Sequence, residues 1–186
     1  MKDIFRGILT IIILFYSANS YSQQTVGTPQ FRREFLKEIN HVRQRGCNCG
    51  ITYMPPAPAL VWNDQLEIAA LRHARDMALN NYFNHTSRDG RTMKDRMAAV
   101  GYTMTGFRSF AIGENIAMGQ ESIAEVMSGW FKSVGHCKNL MNPDFKEVGV
   151  AEYNNYWVQD FGGREPFTAA QQKLMKSGRY RIIQRQ

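Results

Sequence analysis

The stretch EVGVAEYNNYWVQDF, residues 147–161, constrains the fold most, because its apolar residues alternate on both sides of Asn154-Asn155. Two Asn tolerate the positive φ angles of a tight turn, so the spacing predicts a β-hairpin. Upstream the period is helical instead. Phe31, Phe35, Ile39 and Val42 recur at helical spacing from Pro29 to Arg45, and Gly46 stops that run. Asn63 caps a second helix reaching about Asn80, with Leu66, Ala70, His73, Ala74 and Met77 on one stripe. RTMKDRMAAVG and SIAEVMSGWFKS each open on a capping-box spacing, Thr92 with Asp95 and Ser122 with Glu125. Phe110 to Gly113 reads as a further short strand, and GCNCGITYMPPAPALVW as a loop broken by glycine and adjacent prolines. Helices first and strands late imply an α+β domain, its helices packed on a mostly antiparallel sheet.

The first 22 residues stand apart. Lys2 and Arg6 precede an apolar run from Ile8 to Tyr16, and small residues lie at Ser20 and Ser22 before Gln23. This is the pattern of a secretory signal peptide, too short and too quickly polar for a membrane span. The expected protein is therefore exported across the inner membrane, to the periplasm or beyond, and is not integral to the membrane after cleavage. The formal charge of +7 belongs mostly to the ends of the chain. The signal carries +1 and residues 164–186 carry +5, leaving +1 for residues 23–163. A near-neutral body excludes a nucleic-acid-binding domain with a basic face. The division expected is a signal at 1–22, one domain at 23–163, and a basic tail at 164–186 suited to anionic cell-envelope polymers.

Four histidines are available. His41 reads as a surface residue, and His73, on an apolar stripe, as a hydrogen-bonded core histidine. His85 leaves the second helix in the loop YFNHTSRDG, where functional side chains are commonly presented. His136 follows Gly135 just past the Trp130 helix. Glu114 lies in FAIGENIA, flanked by apolar residues, where a buried carboxylate requires a partner. His136 and Cys137 are sequence neighbours that do not face each other on a turn or helix, which argues against a thiol–imidazole pair. The spacing of His85, Glu114 and His136 matches no local metal motif.

The ordered segments LVWNDQLEIAALRHARDMA, YFNHTSRDG, GENIA, GHCKNLMNPDFKEVGV and YWVQDFG resemble a bacterial secreted CAP (SCP-like) domain. That superfamily includes cysteine-rich secretory proteins, antigen 5 and plant pathogenesis-related proteins. The resemblance implies a three-layer α-β-α sandwich with the sheet in the middle. It also implies a cleft lined by His85, Glu114 and His136. The second acid that animal members carry on the Trp130 helix is replaced here by Ser133. Two histidines and a carboxylate are suitable zinc ligands, so His85, Glu114 and His136 form the candidate metal set.

Three functions are compatible with this resemblance: a ligand-binding module, zinc-assisted or not; a hydrolase of peptide or cell-wall substrates; and a lipid or sterol carrier. The hydrolase would use His85 or His136 as base, with Glu114 orienting it and Ser133 offered as nucleophile. The lipid carrier would use Met93, Met97 and Met104 as an apolar wall, although core packing is the better explanation of those methionines. The three cysteines, Cys47, Cys49 and Cys137, allow one bridge with a leftover thiol or an intermolecular bond, and the resemblance implies a bridge from Cys49 in the early loop to Cys137. Closing so long a loop stabilises by roughly 4 kcal/mol in the chain-entropy model. Cys47 is then left free or exchangeable.

Overall fold

The computed structural model describes residues 27–179, so the signal-peptide reading of residues 1–22 lies outside the described part. Helix α1 (Pro29–Arg43) begins where the Thr28 hydroxyl accepts the Phe31 N–H and Pro29 occupies the first turn. Strands β1 (Cys47–Cys49) and β2 (Thr52–Met54) form a small hairpin, turned at Gly50 with φ +64°. Strand β3 (Val61–Trp62) then leads into α2 (Asp64–Leu79), whose Asn63 cap accepts the N–H groups of Gln65 and Leu66. After α3 (Met93–Ala98) and β4 (Phe107–Met118), helices α4 (Ile123–Lys132) and α5 (Val134–Met141) meet at Ser133. The hairpin β5 (Glu147–Tyr153) and β6 (Tyr156–Pro166) follows, then α6 (Ala169–Lys176).

Four strands make the central sheet in the order β3-β5-β6-β4. Only the β3–β5 pair is parallel, and β4 is an outer strand. Asn154 and Asn155 adopt φ of 50° and 62°, which sets the β5–β6 turn. Both faces of the sheet are covered. Val148, Val150, Trp157 and Phe161 pack with Phe31, Phe35, Trp130 and Leu140 from α1, α4 and α5. On the opposite face Ile116, Ala151 and Val158 meet Ala70, Ala74 and Met77 of α2, and Tyr102 and Phe110 meet Leu66 and Met97. This is the expected three-layer α-β-α arrangement. The buried indoles are satisfied, Trp130 donating to Ile116 O (3.3 Å) and Trp157 to Gln120 O (2.8 Å). Gly149 lets α2 lie directly on β5, since a Cβ there would stand 2.0 Å from the Glu67 nitrogen.

Three expectations change and one is sharpened. The strand read at Phe110 to Gly113 extends over Phe107–Met118; its middle, residues 113–116, is buried on both faces, and Ala, Gly and Asn fill one of them. The segment after Gly46 is not all loop: its prolines begin at Pro55, leaving Cys47–Met54 free to pair. The stretch holding His136, read only as a turn or helix past Trp130, is a helix of its own, α5. The tail does not begin at residue 164, because β6 continues to Pro166 and Arg164 reaches Glu147 through two hydrogen bonds. Beyond it α6 carries no buried residue.

Candidate ligand-binding cleft at the edge strand

Neighbouring residues of β4 point to opposite faces, and at Glu114-Asn115 each secures one histidine. Glu114 faces the α2 and α3 side. Its Oε1 lies 2.8 Å from His85 Nδ1, and its Oε2 accepts Arg96 Nη2 at 2.6 Å. The carboxylate is 2% exposed and Arg96 3%, so the ion pair is sealed, whereas His85 is 55% exposed. Burial pushes the Glu114 carboxyl up; the His85 hydrogen bond and the Arg96 charge outweigh it and hold the group below its ordinary range. Glu114 is therefore ionised at neutral pH and can only accept. It follows that His85 carries its proton on Nδ1, which leaves Nε2 as the free nitrogen.

The capping box of Thr92 and Asp95 sets the start of α3 and so aims Arg96. Arg96 Nη1 donates to the carbonyls of His85 (2.9 Å) and Arg91 (3.2 Å), so one guanidinium fixes both Glu114 and the loop bearing His85. His73 contributes from α2. It is fully buried, and burial lowers its pKa, so the neutral ring donates through Nε2 to Asn84 O at 3.0 Å. That is the hydrogen-bonded core histidine expected from its stripe. Directly across the ladder from Glu114 stands Asp160 of β6. It is fully buried, and neither of its carboxyl oxygens has a donor among the described residues. Burial, then the adjacent Glu114 charge, pushes the Asp160 carboxyl well above its ordinary value and favours its protonated form.

Asn115 faces the α5 side. Its Nδ2 donates to His136 O (3.3 Å) and to Gln159 Oε1 (3.1 Å). Asn139, one turn beyond His136 on α5, donates to Asn115 Oδ1 (2.9 Å) and to the backbone oxygen of Glu114 (3.1 Å). Asn139 thus caps one backbone oxygen on β4, and the Asn115 and Asn139 amides pin α5 beside the strand. His136 is partly buried. Burial lowers its pKa and the nearby His85 lowers it further, so His136 is neutral at neutral pH.

Two of the expected site roles shift. Both oxygens of Glu114 are already engaged, so the carboxylate orients His85 and is not itself free for an ion. Nor do the three proposed ligands converge: among the described residues, the only three His, Cys, Asp or Glu ligand atoms within 4.8 Å of one another belong to Cys47, Cys49 and Cys137. Two of those sulfurs are consumed in the Cys49–Cys137 disulfide, which joins β1 to α5 rather than to the sheet. Ser133 ends α4 and starts α5 through its backbone, its N–H donating to Gly129 O and its carbonyl accepting Cys137 N–H. Met97 is taken up in the core beside Leu66 and Tyr102, and of the three methionines only Met104 is exposed. Arg96, Asn115, Asn139 and Asp160 are site residues that motif reading passes over. Asn115 and Asn139 do stand inside GENIA and GHCKN; Arg96, preceded by Lys94 and Asp95, and Asp160, preceded by Gln159, carry no local signal that sets them apart.

The sandwich, its bridge to α5 and the His85–Glu114 pair together place the chain. It belongs to the CAP family, the cysteine-rich secretory protein family, which matches residues 36–161. Two Bacillus subtilis proteins, YkwD and the membrane protein YlbC, are 36% and 35% identical over 104 and 103 residues, about 55% of this chain. The matched part spans only 38% and 28% of those longer proteins. Among solved structures, an extracellular SCP-domain protein of Bacillus anthracis is 29% identical, covering 73% of this chain and 43% of that one, with a TM-score of 0.54. An outer surface protein of Borrelia burgdorferi, 23% identical over 75% of this chain and 97% of its own, shares the fold at a TM-score of 0.60.

Proposed function

We propose that this chain is an exported ligand-binding module that uses the His85–His136 cleft as its recognition site, with zinc as the ion the two imidazoles hold. The observation that carries the reading is the hydrogen bond from His85 Nδ1 to the buried, Arg96-paired Glu114. A carboxylate locking one ring nitrogen and leaving the other for an ion is the usual second-sphere arrangement of metal-binding histidines. His136 supports it, since burial and its neighbour keep that ring neutral and so a ligand rather than a cation. In such a site His85 and His136 would be the ligands, Glu114 and Arg96 the orienting pair, and positions left open on the ion would receive an anionic or carbonyl oxygen of the ligand.

Export rests on the apolar segment of residues 1–22 and on the extracellular and outer-surface relatives. Among the described residues no helix is long and apolar enough to cross a membrane. A binding role is favoured over hydrolysis because no hydrogen bond among the described residues joins the Ser133 hydroxyl, considered as nucleophile, to His85 or His136.

Zinc titration calorimetry on the purified exported chain near neutral pH tests the reading. Heat is expected for the wild type and is lost in His136→Ala and in His85→Ala. Wild-type protein that gives no heat, or heat that both variants retain, overturns it.

A further inference from the structure

The sulfur cluster beside α5 lies outside the cleft and has a chemistry of its own. Cys47 and Cys49 are alternate residues of β1, so both side chains project from the same face of the hairpin, toward α5. Cys49 is bonded to Cys137, and both are fully buried with Met141 against them. Cys47 is the free thiol, partly exposed, and its Sγ lies 3.8 Å from the Sγ of Cys137. All three sulfurs fall within 4.8 Å of one another. A bridge that outside thiols reach poorly is therefore in van der Waals contact with an internal thiol that they can reach.

We propose that Cys47, Cys49 and Cys137 form a thiol–disulfide exchange site, in which the bridge to α5 moves between Cys49–Cys137 and Cys47–Cys137. The Cys47 thiolate attacks Cys137 Sγ, a Cys47–Cys137 bond forms, and the Cys49–Cys137 bond breaks with its electron pair leaving on Cys49. The proton lost by Cys47 is returned to Cys49. Nothing is oxidised or reduced overall, so no outside oxidant is required. Because the attacked sulfur is the one already nearest, the step asks for a shift along β1 and none in α5. Burial pushes the Cys47 thiol up, so only a minor fraction is thiolate at neutral pH and the exchange is slow. The chemical class this site engages is an exposed thiol or disulfide of an exported oxidoreductase, which meets Cys47 first. In the Cys47-linked isomer the bridge moves toward the surface while the helix bearing His136 stays fastened.

The exchange is tested by locating the free thiol. Full-chain wild type is incubated without reductant at pH 8, acid-quenched, denatured, alkylated and fragmented between Cys47 and Cys49. Label is expected at Cys47 at the start, with a growing share at Cys49 over hours. Label confined to Cys47 after days overturns the proposal. A second arm uses Cys49→Ser made in an oxidising compartment. It is expected to contain a Cys47–Cys137 bridge and no free thiol, whereas a folded variant with both thiols free overturns the proposal as well. If that variant fails to fold, the wild-type labelling decides alone.

Discussion

Two glutamates of the central sheet each pair with an arginine, and the contrast between them separates a structural ion pair from a functional one. Glu147, at the start of β5, gives both oxygens to internal partners: Arg164 on each, Asn63 on one (2.7 Å) and Tyr102 on the other (2.6 Å). Burial pushes its carboxyl up, and those bonds bring it below its ordinary range. The Arg164 guanidinium also lies over the Tyr102 ring at 4.0 Å, so the whole cluster serves packing. Glu114 is more deeply buried, yet it commits one oxygen to a histidine whose other edge faces solvent. A buried charge committed to an exposed ring costs desolvation without a matching gain in packing. That cost is rational if the orientation of His85 is what the protein keeps.

The largest test of this contrast removes each arginine in turn. Arg96→Ala leaves Glu114 sealed without its cation, and breaking a buried pair in this way costs about 3–5 kcal/mol. Arg164→Ala is expected to cost about 1 kcal/mol, because Glu147 keeps Tyr102 and Asn63 as donors and is more exposed. Urea midpoints at pH 7 measure both, and equal losses would remove the distinction. Acid acts in the same sense. A carboxylate held below its unfolded value, near 4.5, contributes stability that is complete above that value and lost as pH falls through the folded one. The wild type should therefore lose stability below about pH 4.5, and Arg96→Ala should show a shallower loss over that window.

A smaller test reads function. Glu114→Gln keeps the shape but removes the charge that fixes the His85 tautomer, and is expected to weaken zinc binding about 10–100-fold. Glu147→Gln, on the same sheet, should leave the binding heat unchanged. Calorimetry on both variants, alongside circular dichroism to check folding, distinguishes an orienting carboxylate from a general electrostatic one.

Much of this contrast is legible in the amino-acid sequence, and particular residues show why the rest is not. The hairpin around Asn154-Asn155 and the helices opening at Asn63, Thr92 and Ser122 are specified by local turn and capping chemistry. Glu114 declares itself as an acid in apolar company, and His85 as a loop histidine. Local signals cannot disclose Arg96, whose importance comes from meeting β4 18 positions later in sequence. Nor can they disclose Asp160, which reads as the outward residue of an alternating strand until α2 covers that face. Strand β4 is underestimated for the same reason: a strand buried on both faces loses the alternation by which strands are recognised. Tertiary meeting points, rather than local periodicity, define the missed half of the cleft.

Asp160 supplies the finest test, because it behaves oppositely to both glutamates. Its folded pKa is raised by burial, so the folded chain holds to a higher pH a proton that the unfolded chain releases near 3.8. Its contribution is most favourable below that value and becomes a growing cost as pH rises toward the folded value. Asp160→Asn removes the cost, because the amide is neutral at every pH. The variant is expected to be more stable than wild type by about 0.5–2 kcal/mol at pH 7, with the advantage shrinking toward pH 4. Comparing the two proteins at each pH cancels the contribution of His73, which is common to both. A variant equal to wild type at pH 7 would mean that Asp160 is no burden, and that the interior around Glu114 tolerates a second negative charge. If the gain appears at pH 7 and fades in acid, the sheet beneath His85 holds one ionised carboxylate and one neutral acid side by side, with Arg96 assigned to the former.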